Sequence, residues 1–340
     1  MLTDRLDYVV GVDSHRDRHA LVVLAGDGVV VAESELAADG AGYRRALALV
    51  DELAPGSRLW AIEGTGCYGA GLCRFLAARG ERVVEVERPA RTGSRGRLKS
   101  DPLDALRAAR TALSGQPLSE PRSGEQREAL RALLTTREGA VAARRAGLCE
   151  LRSLLVLLPE PLRAQLRGLS RGRLLARCAN LRRADGQLLA LRSLARRILA
   201  LNREAAELER AIRRLVGRLA PTLLGQRGVG PISAAQLLIS WSHPGRIRSE
   251  AAFARLAGAA PIPASSGKTV RHRLDRGGDR QLNRALHTII LSRRKHDQRT
   301  IAYLEKRTRD GKTTREAVRC LKRYLARNLY RQLEAMPTTT

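Results

Sequence analysis

The fold is decided near the N-terminus by the stretch YVVGVDSH, residues 8–15. Its first five residues are apolar or glycine and predict a buried strand, which ends on the carboxylate of Asp13. Apolar runs at 19–25 and 29–35 follow, separated by the turn Gly26-Asp27-Gly28. Two runs joined by a three-residue loop with glycine, after a short link, predict a three-stranded meander. Asp13 is therefore expected at the rim of a central strand, where it can face a ligand.

Carboxylates recur at the ends of later elements. Glu63 ends another short apolar run, RLWAIE. Asp101 and Asp104 open a helical pattern in the stretch KSDPLDA at residues 99–105, and Pro102 suits a first helical turn. The two aspartates are three residues apart, so they lie on one face of that turn. A single acid after a strand is most simply a turn residue, but four in such positions predict one pocket.

From residue 8 to about 113 the patterns follow the order of three strands, helix, strand, helix, strand and helix. This is the order of a ribonuclease-H-like domain, which gathers acids from its first strand, a later strand and a helix into one metal site. Phosphodiester cleavage with two Mg²⁺ ions ~3.5–4 Å apart needs three or four carboxylates with open coordination positions. We therefore predict a site for Mg²⁺, or Mn²⁺ in its place, made by Asp13, Glu63, Asp101 and Asp104.

The composition points to an anionic partner. Lysine and arginine number 62 against 34 acidic residues, which gives a formal net charge of +28. A field of this size favours nucleic acid as the partner over an anionic membrane surface. The chain has two Phe, two Trp and six Tyr, so base stacking is limited and phosphate and shape contacts are expected to dominate.

The five cysteines lack Cys-x-x-Cys spacing and suit a reducing cytoplasm. His15 and His19 flank a turn, and no third residue lies at the sequence spacing typical of zinc ligands, so a zinc site is disfavoured. No signal segment opens the chain, and no apolar run approaches the ~20 residues of a membrane span. We expect a cytoplasmic protein with no membrane partner.

Residues 119–220 are predicted to form a helical connector. Its first part, 119–158, alternates leucine and arginine at helical spacing, which indicates either an ordinary solvated basic face or a stripe that faces nucleic acid. In 187–219, apolar residues recur every three or four positions over four heptads, which is typical of a coiled coil. This helix can pair with the 130–158 helix or between chains. We favour self-association, as a dimer or tetramer.

A third region, 221–336, is predicted to be a small helical domain. Its stretch QRGVGPISAA at 226–235 is similar to the hairpin of a helix-hairpin-helix element, in which Gly228 and Gly230 present backbone N–H groups to a phosphate. Glycine turns before helices are common, so this signal is weak by itself. The predicted architecture is thus α/β plus all-α, with an RNase H-like domain at 1–118 followed by the helical regions 119–220 and 221–336.

A loop near residue 266 carries serines and is followed by arginines. The stretch SSGKT at 265–269 is not a P-loop, because the first glycine of that motif is missing and no strand precedes it. Its serine is either a phosphate contact or a nucleophile. The predicted nucleic-acid contacts of this region are Gly228, Gly230, Lys268, Arg271, Arg273, Arg276 and Arg280.

In this order, the motifs resemble those of the DEDD-type transposases of bacterial insertion sequences. That family is associated with bridge-RNA-guided recombination and includes Piv-type invertases. The resemblance covers nearly the whole chain and rests on five stretches: GVD at 11–13, EGTGCYG at 63–69, KSDPLDA at 99–105, GVGP at 228–231, and the run from AGAAP to LNRAL at 257–286. It implies a bacterial, nucleoid-associated enzyme that binds DNA and a structured guide RNA. Pro102 stands where the family often has a polar residue, and no loss of acid geometry is expected from it.

The resemblance also implies residue roles. Asp13, Glu63, Asp101 and Asp104 would be the metal ligands of a RuvC-like domain, and Ser266, with Ser265 as the alternative, would attack the scissile phosphate. A serine hydroxyl needs activation, and no histidine–carboxylate pair lies nearby in sequence. We therefore expect the acid site, on this or another protomer, to activate the serine in the assembled complex.

Three alternatives remain beside this interpretation. A nuclease similar to Holliday-junction resolvases would need the four acids but no serine. A nucleic-acid-binding remnant of a decayed element would need neither, although the complete set of acids and serine argues against it. A site-specific DNA invertase would share all of these residues and differ in genomic context.

Overall fold

The structure is a computed structural model that describes residues 6–86, 101–115, 118–182, 186–264, 272–273 and 277–336. The chain forms two compact units, Met1–Ser123 and Gly124–Thr340. The division into three domains stays a prediction. Within the described residues, every helix is too short or too polar to span a lipid bilayer.

The first unit is a mixed α/β domain with a five-stranded sheet. Its elements are β1 (Tyr8–Ser14), β2 (Arg18–Ala25), β3 (Val30–Ala37), α1 (Gly40–Leu53), β4 (Arg58–Glu63), α2 (Ala70–Ala77), β5 (Val83–Val86) and α3 (Asp101–Leu113). The sheet order is β3-β2-β1-β4-β5, with β1 antiparallel to β2 and parallel to β4. The element order is the predicted one and is consistent with an RNase H-like domain.

The central strands are buried on both faces of the sheet, which is why they read as continuous apolar runs rather than alternating ones. On one face, Val10 and Val12 pack with residues of α1 and α2. On the other face, Val9 packs with alanines of α3. The small side chains of α3 let it approach the sheet closely, and this approach brings the start of the helix beside the end of β1.

Gly11 makes this close approach between β1 and α3 possible. A Cβ atom at position 11 would lie 2.1 Å from the carbonyl oxygen of Ala105 and 2.8 Å from the Cβ of Ala109. No real side chain fits in that space. The glycine of the GVD motif is therefore a packing requirement that sets the position of α3.

The second unit is almost entirely helical. Its elements are α4 (Glu125–Val156), α5 (Glu160–Leu166), α6 (Arg171–Ala179), α7 (Gly186–Leu219), α8 (Pro221–Leu224), α9 (Pro231–Trp241), α10 (Glu250–Leu256), β6 (Ile262–Pro263), β7 (His272–Arg273), α11 (Arg280–His296), α12 (Gln298–Arg309) and α13 (Thr314–Glu334). The apolar helix α9 packs against α4, α7 and α11 and lies at the centre of the core.

The long helices α4 and α7 pair with each other in antiparallel orientation. Arg137 binds Glu209 at 2.7 Å, and further along the pair Arg197 binds Glu150 at 2.6 Å. The apolar stripe of α7 is buried in this unit: Leu191, Ala195, Ile198, Ala205, Ile212, Leu215 and Val216. These residues are covered within the chain, whereas Leu188, Leu201, Leu208 and Leu219 of the same stripe are half-buried. The coiled coil and self-association stay predictions.

Candidate active site

Two of the predicted acids end neighbouring strands. Asp13 of β1 and Glu63 of β4 are direct partners in the parallel register of these strands. Both are nearly inaccessible, with 2% and 4% of their surface exposed. Because parallel strands present their carboxyl ends at the same edge of a sheet, the register alone places the two carboxylates side by side.

The other two acids come from the first turn of α3, which contains Asp101 and Asp104. Their side chains are 64% and 24% exposed, in contrast to the buried acids of the strands. One ligand atom each from Asp13, His15 and Asp101 lies within 4.8 Å of the others. The structure thus brings the four predicted acids to one edge of the sheet, where two come from strands and two from α3.

Two basic side chains link these acids in pairs. His15 Nε2 lies 3.0 Å from Asp13 Oδ2 and 3.4 Å from Asp101 Oδ1. Arg107 Nη2 lies 2.9 Å from Asp104 Oδ1 and 3.8 Å from Glu63 Oε2. The sequence interpretation considered His15 only as a zinc ligand and missed Arg107. A signal for Arg107 was present, because it follows Asp104 by three residues on one helical face.

The electrostatics of the site favour a bound cation. Burial raises the pKa of Asp13 above its ordinary value; the neighbouring charges of Glu63 and Asp104 add to this effect, and His15 opposes it. Carboxylates held together away from water repel each other unless a positive charge lies between them. Carboxylate oxygens are the ligands that Mg²⁺ and Mn²⁺ prefer. The residues present therefore fit a divalent ion.

The backbone at the end of β4 holds this edge rigid. Ser14 Oγ donates a hydrogen bond of 2.7 Å to the carbonyl oxygen of Glu63 and so ties the ends of β1 and β4 together. Gly64 follows with a φ of +76°, and a Cβ there would lie 2.9 Å from Ser14 Oγ. The EGTG motif thus supplies both an acid and the glycine that its turn needs.

The predicted nucleophile falls outside the residues that the structure describes. Ser265, Ser266, Lys268, Arg271 and Arg276 lie outside the described residues. Flanking this segment are β6 and β7, which pair antiparallel with Ile262 opposite Arg273. Arg273 and Arg280 are both exposed.

The glycine turn before α9 is described. Gly228 has a φ of +80°, and Gly230 is the N-cap residue of α9. A Cβ at position 228 would lie 3.0 Å from the carbonyl oxygen of Ile289, so the turn packs closely on α11. The helix-hairpin-helix likeness and the phosphate contacts stay predictions.

The sheet order and the cluster of four acids are typical of the metal-dependent DEDD domains that act on nucleic acids. A family model for the DEDD type of the IS110 family, described as "Transposase", matches residues 10–158, and one described as "Transposase IS116/IS110/IS902 family" matches residues 220–305. The chain belongs to the IS110 family of DEDD-type insertion-sequence transposases. The resemblance drawn from its motifs is confirmed. Membership in this family implies an enzyme that binds DNA and cuts and rejoins it.

Relatives from insertion elements agree with this assignment. The "Insertion element IS900 uncharacterized 42 kDa protein" of Mycobacterium paratuberculosis is 28% identical over an alignment 373 positions long, gaps included, which covers 92% of each chain. The "Insertion element IS110 uncharacterized 43.6 kDa protein" of Streptomyces coelicolor is 32% identical over 129 residues, which cover 37% of this chain and 32% of that protein.

Proposed function

We propose that this transposase cuts and rejoins DNA strands by combining a divalent-metal site with a serine nucleophile, and that a structured RNA guides it. The observation that carries the proposal is the register that pairs Asp13 with Glu63, together with the helix that adds Asp101 and Asp104. The buried carboxylates of Asp13 and Glu63 cost free energy that apolar residues at these two positions would not, so their presence supports a function that needs charge.

The four acids would hold Mg²⁺, with Mn²⁺ as the alternative. When bound, such ions would polarise a phosphodiester and stabilise the charge that develops on its oxygens. The chain's own residues prepare the site. Ser14 keeps the two strand ends together, His15 holds Asp13 near Asp101, and Arg107 offsets the charge of Glu63 and Asp104.

Ser266 is the proposed nucleophile, and Ser265 is the alternative. Its oxygen would form a new ester with phosphorus while the bond from phosphorus to the leaving strand oxygen breaks, and that oxygen would take up the proton that serine loses. One phosphate ester replaces another, so the step needs no external energy source and can run backwards to rejoin a strand. We propose that activation of the serine depends on the four acids.

The guide RNA and self-association complete the proposal. A net charge of +28 supports binding of nucleic acid through phosphates, with steep salt dependence. Assembly into a dimer or tetramer would bring several sites to the DNA. The buried residues of the α7 stripe are already used within the chain, so a contact between chains would use the remaining surface of the protein. A monomeric mass by light scattering at micromolar concentration, with and without DNA, would contradict self-association.

The proposal is tested by trapping a covalent adduct on a denaturing gel. End-labelled DNA from the element's ends is incubated with Mg²⁺, the protein and RNA transcribed from the flanking region. We expect an adduct with the wild type, and its loss in Ser266→Ala and in Asp13→Ala. The exposed Asp17, which pairs only with its neighbour Arg16 among the described residues, provides the control Asp17→Ala, which should behave as wild type.

The outcomes separate the alternatives. An adduct that survives in Ser266→Ala but not in Ser265→Ala would move the nucleophile by one residue. An adduct that survives replacement of both serines would end the serine proposal. Cleavage without any adduct, abolished by Asp13→Ala alone, would identify a nuclease similar to the junction resolvases.

A further inference from the structure

The second unit contains a cavity of about 880 Å³. Its wall is formed by the segment after α10, by β7, and by side chains of α11, α12 and α13. The most strongly apolar core of the unit lies elsewhere, around α9. The cavity is therefore an opening among the C-terminal helices rather than a packing defect in the core.

The lining of the cavity is strongly basic. Of the described side chains that line it, seven are arginine or lysine and one, Glu316, is acidic. Two carboxylates outside the lining, Asp310 and Glu250, pair with Arg307 and Arg327. Even with these acids included, the cations outnumber the acids among the described residues. Such a concave basic wall attracts an anion and concentrates the field that holds it.

The wall of the cavity holds the ammonium group of Lys322 in a fixed position. This group is partly buried and donates a hydrogen bond of 2.8 Å to Asn283 Oδ1. Asn283 is itself held in place, because its Nδ2 donates to the carbonyl oxygen of Ala257 at 2.6 Å. No carboxylate among the described residues forms an ion pair with Lys322. A partly desolvated ammonium group fixed by a neutral amide costs free energy, and an anionic ligand would offset that cost.

Size and aromatic content indicate which anion fits. Cavities of about 300–1,000 Å³ accommodate ligands of drug-like size, so one or two nucleotides of a single strand fit here and a duplex does not. Two tyrosines, Tyr303 and Tyr324, meet edge to face with their ring centroids 5.9 Å apart. Tyr324 is 47% exposed and offers a face on which a base can stack.

We infer that this cavity binds a single strand of DNA, with phosphates on Arg307, Arg319 and Lys322 and a base against Tyr324. DNA is favoured because the cavity includes β7, one of the two short strands that flank the segment carrying Ser266. In that respect the inference rests on the proposed function, since the bound strand would be the one that the serine attacks.

The test measures binding of a labelled 12-nucleotide single strand to the full-length protein by fluorescence anisotropy. Ser266→Ala protein in EDTA is used, so that neither the serine nor the metal site contributes. The double variant Arg307→Gln, Arg319→Gln is compared with Arg299→Gln, Arg315→Gln. Each pair removes one arginine from α12 and one from α13, but the control arginines are exposed and lie outside the cavity lining.

We expect the cavity pair to weaken single-strand binding roughly tenfold at 0.15 M salt, and to reduce the slope of log affinity against log salt by about 1.4, since each phosphate contact of a single strand contributes about 0.7. The control pair should change affinity less than twofold. Equal losses in both pairs would overturn the inference. A loss that is larger for RNA of the same sequence would contradict the assignment to DNA, and an equal loss for duplex DNA would contradict the single strand.

A second variant distinguishes binding from folding. Lys322→Met removes a desolvated charge, so its melting temperature should equal or exceed that of the wild type while single-strand binding falls. A lower melting temperature together with unchanged binding would overturn the role of Lys322. This binding assay needs no adduct, so its failure would leave the serine proposal standing, and loss of the adduct would not by itself contradict the cavity.

Discussion

The sheet edge that carries the four acids of the first unit, called the acid edge below, has an excess of negative charge. The basic cavity of the second unit has an excess of positive charge. At the acid edge, Asp13 and Glu63 are buried beside each other, and two bases from the same chain, His15 and Arg107, supply only part of the compensation. In the cavity, a lysine is partly buried with an amide in place of a counter-ion. One region requires a cation and the other an anion. Although the chain has a net charge of +28, Asp13 and Glu63 form a local region of negative charge because the fold buries them beside each other.

Replacement of Asp13 tests the acid edge with the largest expected effect. Asp13→Asn should reduce strand cleavage by about 1,000-fold, because several kcal/mol of transition-state stabilisation depend on the ligand set. Its melting temperature should equal or exceed that of the wild type, because burial raises the pKa of Asp13 and the ionised form therefore destabilises the fold. Mn²⁺ should raise the melting temperature of the wild type and of Asp17→Asn, but not that of Asp13→Asn.

Gly11 tests whether the acid edge depends on the close packing of α3. Gly11→Ala places a methyl group 2.1 Å from the Ala105 carbonyl oxygen and should cost at least about 3 kcal/mol of unfolding free energy, measured with urea. Gly40→Ala is the matched control, because its new Cβ would meet only the flexible end of Arg44 at 3.6 Å. Similar stabilities of the two variants would show that α3 can move away from β1 without cost.

Arg107 tests how the charge of the acid edge is balanced. Its guanidinium group occupies the space between Asp104 and Glu63, so it competes with a metal ion for those carboxylates. Arg107→Gln should tighten Mn²⁺ binding several-fold by calorimetry, since a charge that interacts at this range contributes about 1 kcal/mol at a partly exposed site. Arg110→Gln, an exposed arginine on the same helix, should leave the affinity unchanged. Weaker Mn²⁺ binding in Arg107→Gln would instead show that the arginine orients the acids.

The smallest expected effect concerns His19, which is buried at the start of β2 and stacks on Tyr43 with ring centroids 5.9 Å apart. Burial lowers the pKa of His19 below its ordinary value of 6.5. The unfolded chain therefore binds a proton more readily than the fold, and stability should fall as the pH drops through 6.5. His19→Phe should make unfolding free energy less dependent on pH between 7.5 and 5.5 than in the wild type or in exposed His296→Gln. An unchanged pH slope in His19→Phe would assign the acid sensitivity to other groups.

Most of the first unit was predictable because its signals are local. The run at 8–15, the turn 26–28 and the Pro102 helix start each depend on nearby residues, and each element appears close to its predicted bounds. The partners of the acids were less predictable. His15 lies two residues from Asp13, but the sequence analysis considered it only as a zinc ligand. Its contact with Asp101 could not be predicted, because it forms only when α3 packs against the sheet.

The second unit was less predictable because its contacts join residues that are distant in sequence. The period of 187–219 correctly indicated a long helix, but a helical stripe does not specify its partner, and α4 of the same chain packs against it. The basic cavity has no linear motif, because its lining comes from β7 and three helices that are separated in sequence.

The sequence by itself determined the order of the elements, the four acids at element ends, the charge and the family. These properties follow from local periodicity, turn chemistry and composition. Only the tertiary structure decided the register that pairs Asp13 with Glu63, the two bases that link the acids, the partner of α7 and the cavity around Lys322. Those features depend on contacts between distant residues, and such contacts are set by the packing of whole elements rather than by the preferences of any one segment.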